Sequence, residues 1–127
     1  MRKLILLFYF VRFSLLTHAQ TAEDSLKTII VRFFTCMQQN DTIAVRSILH
    51  KDAFLLSIAS KNGAIKKDQS STQEFLKEIA SPLPEKWEEK ILNYTFLLDE
   101  TMATVWTEYD FFYKDKLWHS GVNQFTF

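Results

Sequence analysis

Glu108, Asp110, His119 and Asn123 lie close together in the C-terminal stretch "TEYDFFYKDKLWHSGVNQF". An imidazole that donates from one nitrogen to a carboxylate has its tautomer set and its other nitrogen made more basic, which is how a general base is built. Whether these side chains meet depends on hairpin phase. The residues on both sides of Lys114-Asp115 alternate as strands do. A two-residue turn there sets Asp110 opposite His119, Glu108 opposite Gly121 and Trp106 opposite Asn123. All six then share one face, because strand side chains alternate. The other face takes Val105, Thr107, Tyr109, Phe111, Trp118 and Val122. The same six positions also suit the wet side of a half-solvated sheet, so the pattern admits a proton-transfer site and an ordinary polar face. A one-residue change in the turn breaks the pairing. Glu108, Asp110 and His119 lack the spacing of a zinc site, and no metal or other cofactor is expected.

The elements that must position these residues follow from local signals. Leu26, Ile29, Ile30, Phe33, Phe34 and Met37 recur at helical spacing, with Thr21 and Asp24 as a cap pair at the start. Asp41 caps a second, shorter helix that carries Val45, Ile48 and Leu49 inward. "AFLLSIAS" reads as a strand, and "KNGA" as a tight turn whose Asn-Gly accepts positive φ. Ser71 and Glu74 form a capping box for a third helix with Phe75, Leu76 and Ile79 on its buried side, and "SPLPEK" ends it. Three long strands follow, over 87–98, 101–113 and 116–127. The order predicts an α+β domain with helices covering one side of an antiparallel meander.

With 127 residues there is room for one domain. Apolar residues at 47%, twelve of them Phe, supply a real core, while two Gly and two Pro argue against disorder. Fifteen basic residues balance fifteen acidic ones with no basic block, which excludes a nucleic-acid footprint. "MRKLILLFYFVRFSLLTHAQ" has the layout of a secretory leader: Arg2 and Lys3, an apolar run interrupted by Arg12, then Thr17 and Ala19 before a cut. The expected organisation is a leader over 1–19 and a domain over 20–127. The protein is then exported, periplasmic or extracellular, with no stable membrane insertion, since the apolar run is short of a span. The only cysteine, Cys36, is expected to pack on the apolar side of the first helix.

The first helix ending in "MQQND", the short helix leading to "LHKDA", the strand "FLLSIAS" and "ATVWTEYDFFYKDKLWHSGVNQF" together resemble the nuclear transport factor 2-like superfamily. The closer likeness is to its small exported bacterial members, lumazine-binding-like or polyketide-cyclase-like. The resemblance implies a cone, in which three helices from the N-terminal half pack on a strongly bent, mainly antiparallel sheet and leave a pocket at the wide end. It puts His119, Gly121 and Asn123 on the pocket side. Superfamily members continue past "VNQF" with a further strand, so the last strand is expected to be missing or incomplete and one sheet edge bare.

The resemblance also tests chemistry residue by residue. Against the ketosteroid isomerases, Ser57 stands where their base should be, Phe33 in place of their oxyanion-hole tyrosine, and Asn123 in place of their protonated aspartate. The chain is therefore not expected to be a steroid isomerase. The leading expectation is a small-molecule-binding domain whose pocket is lined by Phe33, Met37, Phe54 and Trp106, with Ser57, Glu108 and Asn123 supplying polar groups. The ligand is a small apolar or aromatic molecule. A cofactor-free lyase or isomerase, with His119 as base and Asp110 as its orienter, is the alternative. A structural or interaction domain is the third. A homodimer is expected through the outer sheet face bearing Tyr109 and Trp118. His50 reads as a surface or capping residue.

Overall fold

The computed structural model describes residues 21–127, and the expected leader lies outside them. Helix α1 runs over residues 21–38. Thr21, the first described residue, and Asp24 of the expected cap pair are both helical. Most of its apolar stripe is buried as the spacing requires: Ile30, Phe33, Phe34 and Cys36 are in the core, with Leu26 and Met37 half-buried beside them, whereas Ile29, expected in the stripe, is exposed at its margin. On the wet side Ser25, Thr28 and Thr35 return their hydroxyls to the carbonyls four residues back. Asn40 ends the run by taking a positive φ of 55°, and its side chain donates to the Ile79 carbonyl at 2.8 Å.

Asp41 then caps helix α2, Thr42–Ile48, by accepting from the Ala44 amide, and Val45 is fully buried. Strands β1, Phe54–Lys61, and β2, Ala64–Ser71, pair antiparallel around Asn62 and Gly63, both at positive φ as an Asn-Gly turn demands. Helix α3, Thr72–Ala80, opens on the complete capping box of Ser71 and Glu74. That contact holds the Glu74 carboxyl below its ordinary pKa, because the Ser71 amide and hydroxyl both donate to the charged form. The buried Thr72 hydroxyl donates to the Ala53 carbonyl at 2.8 Å and ties α3 to the entry of β1.

A meander completes the chain: β3, Trp87–Leu98, β4, Ala103–Tyr113, and β5, Lys116–Thr126, in the order β3-β4-β5. The expected strand bounds agree with these to within two residues. The domain is thus α+β, with three helices among the described residues and two antiparallel sheets, one of two strands and one of three. No described helix is long and apolar enough to cross a membrane.

Helix α1 lies on one face of the three-stranded sheet. Phe33 and Phe34 meet Phe125 edge to face at 6.2 and 6.1 Å, and Phe33 stacks on Phe75 of α3 at 6.1 Å. Val105, fully buried, belongs to this core, in register with Phe96, and Ile91, Tyr94 and Phe96 of β3 pack against the cluster. Lys27 extends from α1 over the Tyr94 and Phe96 rings at 5.5 and 5.6 Å. Each fully buried large apolar side chain here contributes roughly 1.5–3 kcal/mol, so this seam dominates the fold.

The α3 cap is local and can be tested by itself. Ser71→Ala removes the hydroxyl that receives the Glu74 amide and should lower stability by about 1 kcal/mol in urea melts. Ser71→Asp, which retains an acceptor, should recover most of that loss.

Candidate functional site

The expected turn is present: Lys114 and Asp115 both take positive φ, at 54° and 57°. Lys86 braces it with a salt bridge to Asp115 at 2.9 Å and by accepting from the Lys114 amide. Tyr113 faces Lys116 and Phe112 faces Leu117, but Phe111 faces His119. Trp118 is an extra residue on β5, a β-bulge, and its indole turns onto Tyr113. One inserted residue reverses the face of every position beyond it.

The expected six-residue face is therefore split. Asp110 pairs with Ser120, Glu108 with Val122 and Trp106 with Gln124 on the face away from α1. His119, Gly121 and Asn123 pair with Phe111, Tyr109 and Thr107 on the face towards α1. His119 and Asp110 project from opposite surfaces, which removes the proposed dyad. Asp110 instead accepts from the Ser120 hydroxyl at 2.5 Å. The outer face expected to bear Tyr109 and Trp118 is corrected in the same way: Tyr109 is half-buried on the helix side, and the outer face carries Trp106, Leu117 and Val122.

Of the expected pocket residues, Phe33 is core and Met37 packs beside it. Asn123 and His119 lie on the same side of the sheet, half-buried and exposed respectively. Phe54, 63% exposed, and Ser57 stand on the separate β1–β2 hairpin, and Trp106 and Glu108 point away from α1. These four do not join a common pocket with Phe33. His50 is an exposed turn residue whose Nδ1 accepts from the Asp52 amide, in keeping with a capping role.

On the α1 side of the sheet a different polar group assembles. Glu89 projects inward from β3 between Trp87 and Ile91, and its Oε1 accepts from the Asn123 side chain at 2.5 Å. Burial pushes the Glu89 carboxyl above its ordinary pKa, and the Asn123 hydrogen bond opposes this only in part. Among the described residues no Lys, Arg or His lies within ion-pair distance of it. Tyr109 stands between the strands of Glu89 and Asn123, and its phenol is also raised, first by burial and then by the Glu89 charge. Its hydroxyl is 3.5 Å from His119 Nε2. The rings of Trp87, Phe111 and His119 stack in a row across all three strands at 5.8 and 5.0 Å.

Gly121 makes this arrangement possible. A Cβ there would stand 2.7 Å from the Tyr109 hydroxyl and 2.8 Å from its ring, so only a residue without a side chain lets the ring lie across β5. Beneath Tyr109, Thr107 is fully buried and its hydroxyl has no partner. Chemically the cluster offers a half-buried carboxyl, an amide, a phenol and an imidazole against an aromatic row. Sequence reasoning missed Glu89, although a signal was present: in "WEEKI" it occupies the apolar phase of the alternation. Two open hollows lie elsewhere, one of about 620 Å³ along residues 51–54 and 69–74 and one of about 360 Å³ beside Arg46, Leu49 and Gln73. Both are mainly polar. Among the described residues no three His, Cys, Asp or Glu side chains group as a metal would need. Comparison with family models, with curated proteins and with solved structures returns no match.

Gly121→Ala must displace Tyr109 and should cost about 1–3 kcal/mol in denaturant melts. In a Tyr109→Ala background the same substitution should cost much less, a coupling that a double-mutant cycle reads directly. Glu89 supplies a pH signature. Its folded pKa lies above the unfolded one, so its contribution is present below the ordinary carboxylate range and is lost as pH rises through the folded value. Glu89→Gln preserves the acceptor for Asn123 without the charge. The stability of Glu89→Gln relative to the natural chain should therefore grow as pH rises from about 4 to 8, measured by urea melts of both.

Proposed function

We propose that the chain is an exported small-molecule-binding domain of nuclear transport factor 2-like type, with its ligand seated on the α1 side of the three-stranded sheet. The order of elements supports the type: two helices, a hairpin, a third helix and a meander. Bulges after Ile91 and at Trp118 bend β3 and β5, in keeping with a sheet that curls into a cone. Export rests on the leader-like Arg2 to Ala19.

One observation supports the ligand seat above the others: Glu89, a half-buried carboxyl on an aromatic face, held by Asn123 and without a counter-charge among the described residues. Burying such a group unpaired costs stability, and cost retained at one place is a mark of use. The favoured ligand is a small aromatic or apolar molecule with one polar edge, its flat body against Trp87, Phe111 and His119 and its edge on Glu89, Asn123 and Tyr109. Without Asp110 behind it, His119 serves as a contact and not as an oriented base.

A second reading, a cofactor-free lyase or isomerase, rests on the same carboxyl. Burial raises the Glu89 pKa, which makes its ionised form a stronger base than an ordinary carboxylate. Screening a library of small aromatic amides and phenols by ¹H–¹⁵N NMR tests the binding reading. Hits should shift the amides of Glu89, Tyr109, Gly121 and Asn123 saturably, and Asn123→Leu should weaken them about tenfold, the size of one lost hydrogen bond in a partly buried site. Shifts confined to residues 46–54 and 69–74 would reject this seat in favour of the hollows beside α3. Where a hit is turned over, Glu89→Gln should slow the reaction by about 10²–10⁴ if Glu89 moves the proton, and should alter binding alone if it does not.

A further inference from the structure

The hydrogen-bonding groups on the α1 side of the sheet are not balanced. The amide donor is already engaged, because the Asn123 side chain donates to Glu89 Oε1 at 2.5 Å. The other carboxylate oxygen, Oε2, accepts from no described residue. An ionised carboxylate can only accept. A carbonyl or a carboxylate brought to this point therefore meets lone pairs with lone pairs, whereas a group carrying N–H fills the open oxygen.

The charge of Glu89 is as unbalanced as its hydrogen bonding. Lys90, next to it on β3, is in register with Asp110 on the face away from α1. At the turn end of the sheet Lys86 is bound to Asp115 at 2.9 Å and Lys114 to Glu85 at 3.0 Å. Lys116 shares the α1 face, in register with Tyr113, yet no described cation comes within ion-pair distance of Glu89. Rings surround the carboxyl instead. Glu89 is in register with Phe111, and Phe111 with His119. Tyr109 stands close enough that the Glu89 charge, after burial, raises its phenol.

A half-buried carboxylate among rings has lost water and gained no opposite charge in return. We infer that the ligand of this seat, on the reading that it binds beside Glu89, is an aromatic cation: a protonated amine or amidine. Its N–H groups donate to Glu89 Oε2 while its ring lies against Trp87, Phe111 and His119. Such a charge-assisted bond is roughly twice as strong as a neutral one. The same sheet face already carries an ammonium over rings, since Lys27 Nζ lies 5.5 Å from Tyr94 and 5.6 Å from Phe96. Anionic ligands are disfavoured, because a like charge at a half-buried site is poorly screened.

Benzamidine, benzamide and benzoate test this, as they share one shape and carry positive, zero and negative charge at neutral pH. Each is titrated into the full chain and followed by ¹H–¹⁵N NMR. Benzamidine should shift the amides of Glu89, Tyr109, Gly121 and Asn123 with a Kd about tenfold or more below that of benzamide, and benzoate should bind more weakly still. In Glu89→Gln the benzamidine affinity should fall to that of benzamide. Benzamide or benzoate shifting the same amides as tightly as benzamidine overturns the cation and leaves the seat standing. A benzamidine preference that survives Glu89→Gln overturns it too, since another group would then read the charge. If no probe moves these amides at up to about 1 mM, the inference falls together with the seat. The three probes on the natural chain decide the matter should Glu89→Gln fail to fold.

Discussion

Trp118 has no residue of β4 opposite it, and the whole C-terminal half is arranged around that single insertion. With the same two-residue turn and no bulge, Ser120, Val122 and Gln124 would face α1, and Phe125 would face solvent. With the bulge, Phe125 reaches Phe33 and Phe34, and Gly121 comes to lie under Tyr109. The energies favour this clearly. A bulge forgoes about one ladder hydrogen bond, a net 0.5–1.5 kcal/mol, whereas burying one aromatic side chain contributes roughly 1.5–3 kcal/mol. A regular ladder would also drive polar Gln124 into the space that Phe125 occupies. The packing of α1 selects the register, and the register in turn selects which polar side chains stand on the helix side.

That dependence explains what could be read beforehand. Signals confined to a few neighbouring residues were legible: the Ser71–Glu74 box, the Asn62-Gly63 turn, the Asp41 cap, the apolar stripe of α1 and the Lys114-Asp115 turn each have a local cause. The bulge has none. "DFFYKDKLWHS" contains no Gly or Pro to mark it, and its reason lies in the approach of α1, far along the chain. His119 and Asn123 stand on the face towards α1, whereas the hairpin reading drew Asp110 and Glu108 to the same face as them. The pocket assigned to Phe54 and Ser57 failed differently. It required β1 to join the long sheet, and β1–β2 is bonded as a sheet of its own.

On the α1 side two effects compete at Glu89. Desolvation favours the neutral carboxyl, and the Asn123 amide favours the charged one, and desolvation is the larger. The same low dielectric carries the Glu89 charge to Tyr109, whose phenol is raised in turn. Thr107 adds a buried hydroxyl without a partner to the same strand face, between Val105 and Tyr109. Three of these groups sit where an all-apolar face would serve folding better, since the residues in register with them, Ile91 and Phe111, are apolar. Stability is being given up in one small region, and function is the usual reason for such a concentration.

The parity set by the bulge also divides β5 by purpose. His119, Gly121, Asn123 and Phe125 turn their side chains towards α1 and spend their backbone groups on β4. Ser120, Val122, Gln124 and Thr126 do the opposite on both counts, with side chains on the outer face and amides turned away from β4. Core packing and the Glu89–Asn123 contact therefore rest on one set of alternate residues, and the outer face rests on the other. Changes in the even-numbered set alter the outer face with little effect on the Glu89–Asn123 contact, while a shift of one residue anywhere before Ser120 would exchange the two sets at once.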